Sequence, residues 1–272
     1  MDSFIIIGGD KRQRVLGQTL EESGKKVFYM ANSENLDNID DYTHIILPVP
    51  VTRDGINIYS DDKNFKLSLE MLTEKITSAQ KVFGGGIPSV IAAALKNKGV
   101  TCSDFLKNER FLVDNALLTS QGALRLLLTS TEKYIPLSRI IIIGFGRVAA
   151  ALAAVLKALN AEIYIAARNP FQLESASCLG YQTVNLANLT QVIADFDFIF
   201  GTVPHTVLKG EIVSAIKDDS IYFELASKPF TACEDDFRIC GKRYVDGGAL
   251  PGKYLSEASG RLIAEYINSG SD

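Results

Sequence analysis

Arg139-Ile140-Ile141-Ile142-Ile143-Gly144-Phe145-Gly146-Arg147-Val148-Ala149, at the middle of the 272-residue chain, is the stretch on which the fold turns. Four β-branched residues in a row read as a buried strand, and from Val148 to Leu159 the apolar residues recur at helical spacing. A strand, a tight turn and a helix are therefore expected. The spacing Gly144-x-Gly146-x-x-Ala149 fits the dinucleotide fingerprint, in which each small residue has its own task. Gly144 permits the sharp turn, Gly146 lets the backbone approach a pyrophosphate, and Ala149 lets the helix pack closely on the strand. The helix N-terminus then offers unpaired N–H groups and a partial positive charge to phosphates. Short glycine patterns also occur in ordinary turns, but here a strand and a helix flank the motif on the correct sides. Phe145, Arg147 and Val148 complete the expected phosphate turn.

The following strand, Glu162 to Ala167, bears on which dinucleotide is bound. It is reached through Asn160, a residue suited to the left-handed position that ends a helix. An NAD site usually carries Asp or Glu at the end of this strand to hold the ribose 2′-hydroxyl. This chain has Ala166-Ala167-Arg168-Asn169 instead. A carboxylate would repel a 2′-phosphate, whereas the Arg168 guanidinium can hold one through paired hydrogen bonds. NADP is the cofactor expected, with Ala167, Arg168 and Asn169 around its 2′-phosphate. Read as a merely solvated side chain, Arg168 would leave the missing acid unexplained.

With 47% hydrophobic residues the chain can bury substantial cores, and its length suggests two domains. A formal charge of −4 argues against broad nucleic-acid binding and favours small molecules or proteins as partners. The longest apolar region, Ile140 to Ala161, is broken by Gly144, Gly146, Arg147 and Lys157 and suits strand plus helix better than a membrane span. The N-terminal residues show no basic leader, apolar run and cleavage site, so a cytoplasmic protein is expected. Cys102, Cys178, Cys233 and Cys240 are scattered, without a C-x-x-C pair, and only His44 and His205 could accompany them. No metal site is expected, and the cysteines read as reduced thiols with packing roles.

Along the first hundred residues, strands are expected at Phe4 to Ile7, Lys25 to Ala31, Tyr42 to Leu47 and Lys81 to Phe83, with a fifth at Thr101 to Phe105. Helices are expected at Arg14 to Ser23, Leu67 to Thr77 and Val90 to Asn97, with a polar loop or small hairpin from Arg53 to Asn64. Alternation of this kind implies a parallel sheet. Gly8-Gly9 follows the first strand but lacks a third small residue at the fingerprint spacing, which favours a substrate-facing turn over a second phosphate site. Lys11 and Arg12 would bring positive charge to it. A long helix, Asp114 to Tyr134, then joins the halves, with Pro136 ending the connection. Its segment Thr119-Ser120-Gln121-Gly122 is either cleft-lining or an ordinary surface turn; spacing alone does not choose.

In the second half, Pro170 suits a helix first turn. Strands follow at Tyr181 to Val184, Asp197 to Val203 and Ser220 to Leu225, with a short helix at Leu189 to Ala194 between the first two. Right-handed connections bring the last two strand ends to the edge that carries Gly144. Thr202-Val203-Pro204 and Ala226-Ser227-Lys228-Pro229 are therefore expected beside the nicotinamide, with the loop Gly247 to Lys253 on the same edge. Ser256 is a plausible cap for a last helix from Glu257 to Asn268. The fold expected is α/β, with two Rossmann-like doubly wound parallel-sheet domains, a long connecting helix and a C-terminal helix packing near the interdomain cleft. The boundaries read as 1–115 for a flavodoxin- or Rossmann-like substrate domain, 116–137 for the connection, 138–254 for the NADP domain and 255–272 for the final helix.

Six segments in order, Gly8-Gly9-Asp10-Lys11-Arg12-Gln13, Pro48-Val49-Pro50, Gly144-Phe145-Gly146-Arg147, Ala166-Ala167-Arg168, Leu225-Ala226-Ser227-Lys228-Pro229 and Leu250-Pro251-Gly252-Lys253, carry a family resemblance across nearly the whole chain. The chain resembles the A subunits of bacterial dipicolinate synthases. That resemblance implies NADP-linked oxidation of a dihydrodipicolinate-type precursor to dipicolinate in the mother-cell cytoplasm of a spore former. It also implies a partner, the flavoprotein-like B subunit; homo-oligomer formation is left open. The chain departs from the pattern twice, with Gln121 where an acidic residue is expected and Gly201 where Asn is expected.

Dipicolinate carries two carboxylates, so cations and hydroxyls should converge on it. Asp10, Lys11, Arg12, Ser120, Gln121, Ser227, Lys228 and Lys253 are the candidate substrate residues, and a solvated side chain is the plainer alternative for each lysine. No strong base is needed where aromatisation drives the loss of a ring proton, and no catalytic residue is assigned. Three other readings compete. A D-2-hydroxyacid dehydrogenase needs an acid/base, commonly His, and the last domain has only His205, which could equally hold a cofactor loop or face solvent. The other two are an alanine dehydrogenase-like oxidation of an amino acid and a non-catalytic NADP-binding regulatory subunit.

Overall fold

The computed structural model describes residues 2–30 and 33–269. The first half runs β1 (Ser3–Ile7), α1 (Lys11–Glu22), β2 (Lys26–Met30), a 3-10 segment, β3 (His44–Ile46), α2 (Leu69–Lys75), β4 (Lys81–Gly84), α3 (Ser89–Asn97), β5 (Thr101–Asp104) and α4 (Glu109–Ser130). The second half runs β6 (Arg139–Ile143), α5 (Arg147–Ala158), β7 (Glu162–Ala167), α6 (Pro170–Cys178), β8 (Gln182–Asn185), α7 (Leu189–Val192), β9 (Phe198–Gly201), α8 (Glu211–Ser214), β10 (Ile221–Glu224), α9 (Glu234–Ile239) and β11 (Arg243–Asp246). Helices α10 (Leu250–Tyr254) and α11 (Ser256–Asn268) end the chain. Two compact units result, one from residues up to Asn115 together with those from Pro251 onward, the other from Ala116–Leu250. The final helix, read from the sequence as a segment of its own, thus belongs to the first unit.

In the first unit the sheet order is β2-β1-β3-β4-β5, all parallel. Strand β1 shows why Phe4 to Ile7 are apolar without a break. Ile5 and Ile7 enter a core with Leu69, Leu72 and Leu95 from α2 and α3, while Phe4 and Ile6 enter one with Leu16, Leu20, Ile263 and Ile267 from α1 and α11. A parallel sheet covered on both faces needs both. Gly260 sets how close α11 comes to α1, since a Cβ there would lie 2.7 Å from the Arg12 carbonyl oxygen and from Val15 Cβ.

In the second unit the order is β11-β10-β9-β6-β7-β8, again all parallel. The order reverses between β6 and β9, which makes the carboxyl ends of those strands the topological switch point. Ile141 and Ile143 face a core with Leu189, Ile193 and Phe237, while Ile140 and Ile142 alternate to the other side; all four are fully buried. Phe200 and Phe223 stack at 4.8 Å across β9 and β10.

The doubly wound expectation is thus the observed fold, and the differences are local. Helix α1 starts at Lys11 because Asp10 caps it, its carboxylate accepting from the Arg12 amide at 3.0 Å. Helix α4 starts five residues before Asp114 and ends at Ser130, and the Asn108 side chain accepts from the Phe111 amide at 3.0 Å at its start. Ser256 is the first residue of α11 and does not cap it; Leu255 holds that position without a side-chain bond. Strand β11 is an element the sequence reading lacks, and part of the segment expected as a loop, Gly247 to Lys253, is α10. Asn160 has the expected positive φ, at 61°. Cys178 is exposed, whereas Cys102 and Cys240 pack against the two cores. Met1, Ala31 at the end of the expected second strand, and the last three residues of the segment 255–272 lie outside the described residues.

Candidate dinucleotide site

The switch point of the second unit is built around Gly144. Its φ is +100°, its amide donates to the Ala166 carbonyl at 2.8 Å, and a Cβ on it would lie 2.5 Å from Val203 Cγ1 and 2.8 Å from Thr202 Oγ1. Turn and packing both demand glycine here. Gly146 is different. It stands at the N-cap of α5 with ordinary φ (−92°), and no heavy atom lies within 4 Å of where its Cβ would be. Nothing inside the protein requires glycine at 146, and its bare backbone is open to close approach from outside. The first turn of α5 holds no acid and no side chain caps it, so its N–H groups and dipole suit an anion. Ala149 is fully buried beneath the turn. Phe145 is half-buried with its ring edge-on to Tyr181 at 6.1 Å, and Arg147 is exposed beside the half-buried Val148. These features fit a dinucleotide pyrophosphate.

On one side of the turn, β7 ends in buried Ala167 followed by exposed Arg168 and Asn169. Asn169 caps α6, its oxygen accepting from the Phe171 amide at 2.9 Å, and Pro170 takes the helix first turn. The Arg168 guanidinium has no ion-pair partner among the described residues. On the other side, Thr202 is fixed to β6, its hydroxyl donating to the Ile143 carbonyl at 2.7 Å. Val203 is held by Thr231, whose hydroxyl donates to the Val203 carbonyl at 2.7 Å and accepts from its amide at 3.1 Å. Pro204 and His205 are exposed, and Ala226 is buried. Ser227 and Lys228 are exposed, with the Lys228 ammonium 5.8 Å from the Phe230 ring centroid.

Sequence reasoning missed Glu224, the best-connected polar residue of this edge. Although only 1% exposed, its carboxylate accepts from the Tyr222 hydroxyl at 2.7 Å and from the Ala226 and Ala232 amides at 3.0 Å each. Burial pushes its pKa above the usual carboxylate range, and these donors offset only part of that push. The signal was one acid closing an apolar strand, with Tyr222 two residues earlier on the same face.

The candidate substrate residues fall in both units. In the first, Asp10 and Arg12 form a buried bidentate pair, Nε to Oδ1 at 2.8 Å and Nη2 to Oδ2 at 2.7 Å, and Arg12 also donates to the Val49 carbonyl. Burial raises the Asp10 pKa, but the hydrogen bonds and charge of Arg12, with the Arg12 amide and the charge of Arg53, outweigh it and leave the group more acidic than usual. Gly252 lies against this pair, since its Cβ would be 2.9 Å from Asp10 Oδ2 and 3.0 Å from Arg12 Nε. The structure thereby brings the Gly8-Gly9-Asp10 and Pro251-Gly252-Lys253 segments together. Lys11 and Lys253 are both exposed, the latter 5.0 Å from the Tyr254 ring centroid. In the second unit Ser120 is buried with its hydroxyl donating to the Leu117 carbonyl at 2.8 Å, and Gln121 is exposed. Among the described residues no group of three or more His, Cys, Asp or Glu is arranged for a metal, and no helix is long and apolar enough to cross a membrane.

Comparison with known proteins agrees with this division. Residues 3–106 match the N-terminal domain of the dipicolinate synthase A subunit, and residues 125–218 match the NAD binding domain of D-isomer specific 2-hydroxyacid dehydrogenases. The second match and the glycine turn make that unit a pyridine-nucleotide-binding domain of dehydrogenase type. The dipicolinate synthase A subunit of Bacillus subtilis is 25% identical over 97% of this chain and 93% of its own length. Two crystal structures superpose with TM-scores of 0.85: the dipicolinate synthase A subunit from Bacillus halodurans (21% identity, 98% of this chain, 97% of that chain) and its counterpart from Bacillus subtilis (19%, 98%, 95%). The chain therefore resembles the A subunit of dipicolinate synthase over 97% of its length, with a match to that family's N-terminal domain in the first unit and to a dehydrogenase-type dinucleotide domain in the second.

Proposed function

We propose that this chain is an NADP-dependent oxidoreductase that converts a dihydrodipicolinate-type precursor to dipicolinate, acting as a dipicolinate synthase A subunit together with a flavoprotein-like B subunit. The observation that carries the cofactor is the Gly144-Phe145-Gly146 turn at the switch point, with Arg168 and no acid at the end of β7. The substrate rests on the full-length likeness to the dipicolinate synthase A subunit, and the setting in a sporulating mother cell comes with it. The first turn of α5 holds the pyrophosphate, and Arg168 holds the 2′-phosphate through charge-assisted hydrogen bonds. Bound NADP supplies the hydride acceptor.

The protein's share of the chemistry is binding and orientation. Thr202, Val203 and Ala226 form the rigid edge against which the nicotinamide half rests. Within the first unit Lys11 and Lys253 are exposed cations, and within the second Lys228 is an exposed cation next to the Ser227 hydroxyl; each is a candidate partner for a substrate carboxylate. Arg12, held through Nε and Nη2 by Asp10 and the Val49 carbonyl, shapes the first-unit turn. The overall balance is one hydride and one proton lost from the dihydropyridine ring, of which bound NADP+ would take the hydride while the proton would leave to solvent. Aromatisation supplies the driving force.

The test is NADPH formation by the purified chain with freshly generated dihydrodipicolinate, with and without the B subunit, with dipicolinate quantified in the same samples. Equal amounts of NADPH and dipicolinate support the assignment. Tight NADPH binding with neither product under either condition would replace it with a regulatory subunit or another substrate, for which D-2-hydroxyacids and alanine are the first compounds to screen.

A further inference from the structure

We propose that Glu224 is a positioning residue for the nicotinamide half of the site, an inference that rests on the dinucleotide reading above. The pyrophosphate turn lies between β7 and β9. With the 2′-phosphate directed to Arg168 at the end of β7, the other half of the cofactor must run over the ends of β9 and β10. Two loops form that edge, 202–208 and 225–233, and each is otherwise an irregular segment with polar backbone to satisfy.

Glu224 holds the second loop at both ends. One oxygen takes the Ala226 amide and the other takes the Ala232 amide, so the five residues between them, including exposed Ser227 and Lys228, loop out from a single carboxylate. The second loop then holds the first. Thr231, wholly buried, bonds both backbone groups of Val203; the Thr231 carbonyl accepts the amides of Val207 at 2.8 Å and Leu208 at 3.0 Å; and the Thr206 hydroxyl donates to the Phe230 carbonyl at 3.1 Å. The Glu224 main chain adds a further strand end, since its carbonyl accepts from the Gly247 amide at 2.9 Å. Tyr222 completes the cluster. Its hydroxyl occupies the place of a side chain at Gly201, where a Cβ would be 2.0 Å from it and 2.7 Å from Thr231 Cβ. A charge buried without such donors would be costly, whereas a fully bonded one fixes loop geometry.

The bonds of Glu224 run to Tyr222 and to the Ala226 and Ala232 amides, on the side of the turn away from Arg168, so its loss should be read mainly in the nicotinamide half of the cofactor. The experiment compares the Kd of NADPH with that of 2′-phospho-ADP-ribose, which lacks the nicotinamide ring, for wild type, Glu224→Gln and Tyr222→Phe. Glutamine keeps the size but turns one acceptor into a donor facing an amide, and Tyr222→Phe removes one donor while leaving both loop amides paired. The expected result for Glu224→Gln is NADPH binding weakened by about ten-fold or more with 2′-phospho-ADP-ribose within about two-fold of wild type, and a smaller loss of the same pattern for Tyr222→Phe. Should Glu224→Gln fail to fold, Tyr222→Phe alone carries the comparison. Parallel losses for both ligands, or no loss for either, overturn the proposal. Wild-type protein that binds neither ligand overturns the dinucleotide reading itself, and this proposal with it, so the two failures are told apart by the control.

Discussion

Exchange of Gly144 and of Gly146 for alanine separates the two tasks of the glycine turn. At Gly144 the new methyl must sit at φ +100° and within 2.5 Å of Val203 Cγ1 and 2.8 Å of Thr202 Oγ1. Thr202 cannot retreat without breaking its 2.7 Å bond to the Ile143 carbonyl. Left-handed backbone costs about 1–2 kcal/mol for an alanine, and overpacking costs about 1–3 kcal/mol. Gly144→Ala should therefore destabilise the second unit by roughly 2–5 kcal/mol, a fall in its thermal midpoint of about 4–20 °C at this chain size. At Gly146 the φ is ordinary and the methyl meets nothing, so the cost to the apo protein should stay within about 0.5 kcal/mol. The same methyl would stand where a pyrophosphate meets the backbone. Loss of one charge-assisted hydrogen bond there, worth about 1.5–3 kcal/mol, weakens dinucleotide binding by about 10- to 150-fold. Scanning calorimetry of the apo protein and titration with NADPH read the two effects separately. A Gly146→Ala protein that binds NADPH as wild type does would refute the placement of the pyrophosphate. An unshifted midpoint for Gly144→Ala would refute the packing argument.

Arg168→Ala should weaken NADPH by about 10-fold or more, the value of one charge-assisted contact, while NADH changes little; equal losses for both would remove the 2′-phosphate from Arg168. Lys228→Met should lower turnover with dinucleotide Kd unchanged, and unaltered kinetics would exclude Lys228 from the site. Asp10 is held below its ordinary pKa in the folded chain, so its contribution to stability is complete above the ordinary carboxylate range and is lost as pH falls through the folded value. The difference in thermal midpoint between wild type and Asp10→Asn should accordingly be larger at pH 7 than near the acid end of the folded range; a difference independent of pH would show that the Asp10–Arg12 pair does not carry that linkage.

The strands legible in the sequence are those buried on both faces, because a run such as Phe4 to Ile7 or Ile140 to Ile143 admits no other reading. Strand β11 escapes notice since Arg243-Tyr244-Val245-Asp246 is an edge strand with charged ends and two partly buried residues. The helix start at Lys11 is hidden because Asp10, read as a substrate residue, serves as a cap, and the start at Glu109 because the capping side chain of Asn108 carries no apolar periodicity to announce it. The pyrophosphate turn can be read residue by residue, since its chemistry is local. The Asp10–Arg12 pairing cannot, because whether an arginine two residues from an aspartate points to a ligand or back to its neighbour depends on the Val49 carbonyl and Gly252, which lie far away in the chain.

Gly201 illustrates how a departure from a family pattern acquires a physical meaning. Taken from sequence, a glycine where Asn is expected subtracts a polar group from the end of β9. In the structure that volume belongs to the Tyr222 hydroxyl, delivered from the adjacent strand and anchored by Glu224. The arrangement is demanding: Tyr222 can reach the spot only because residue 201 has no side chain, and its buried hydroxyl is satisfied by a carboxylate that accepts its hydrogen bond. Burial and the neighbouring Glu224 charge push the Tyr222 pKa well above that of a free phenol, which keeps the hydroxyl a donor throughout the working pH range. Glycine at 201, tyrosine at 222 and glutamate at 224 are thus one feature spread over two strands.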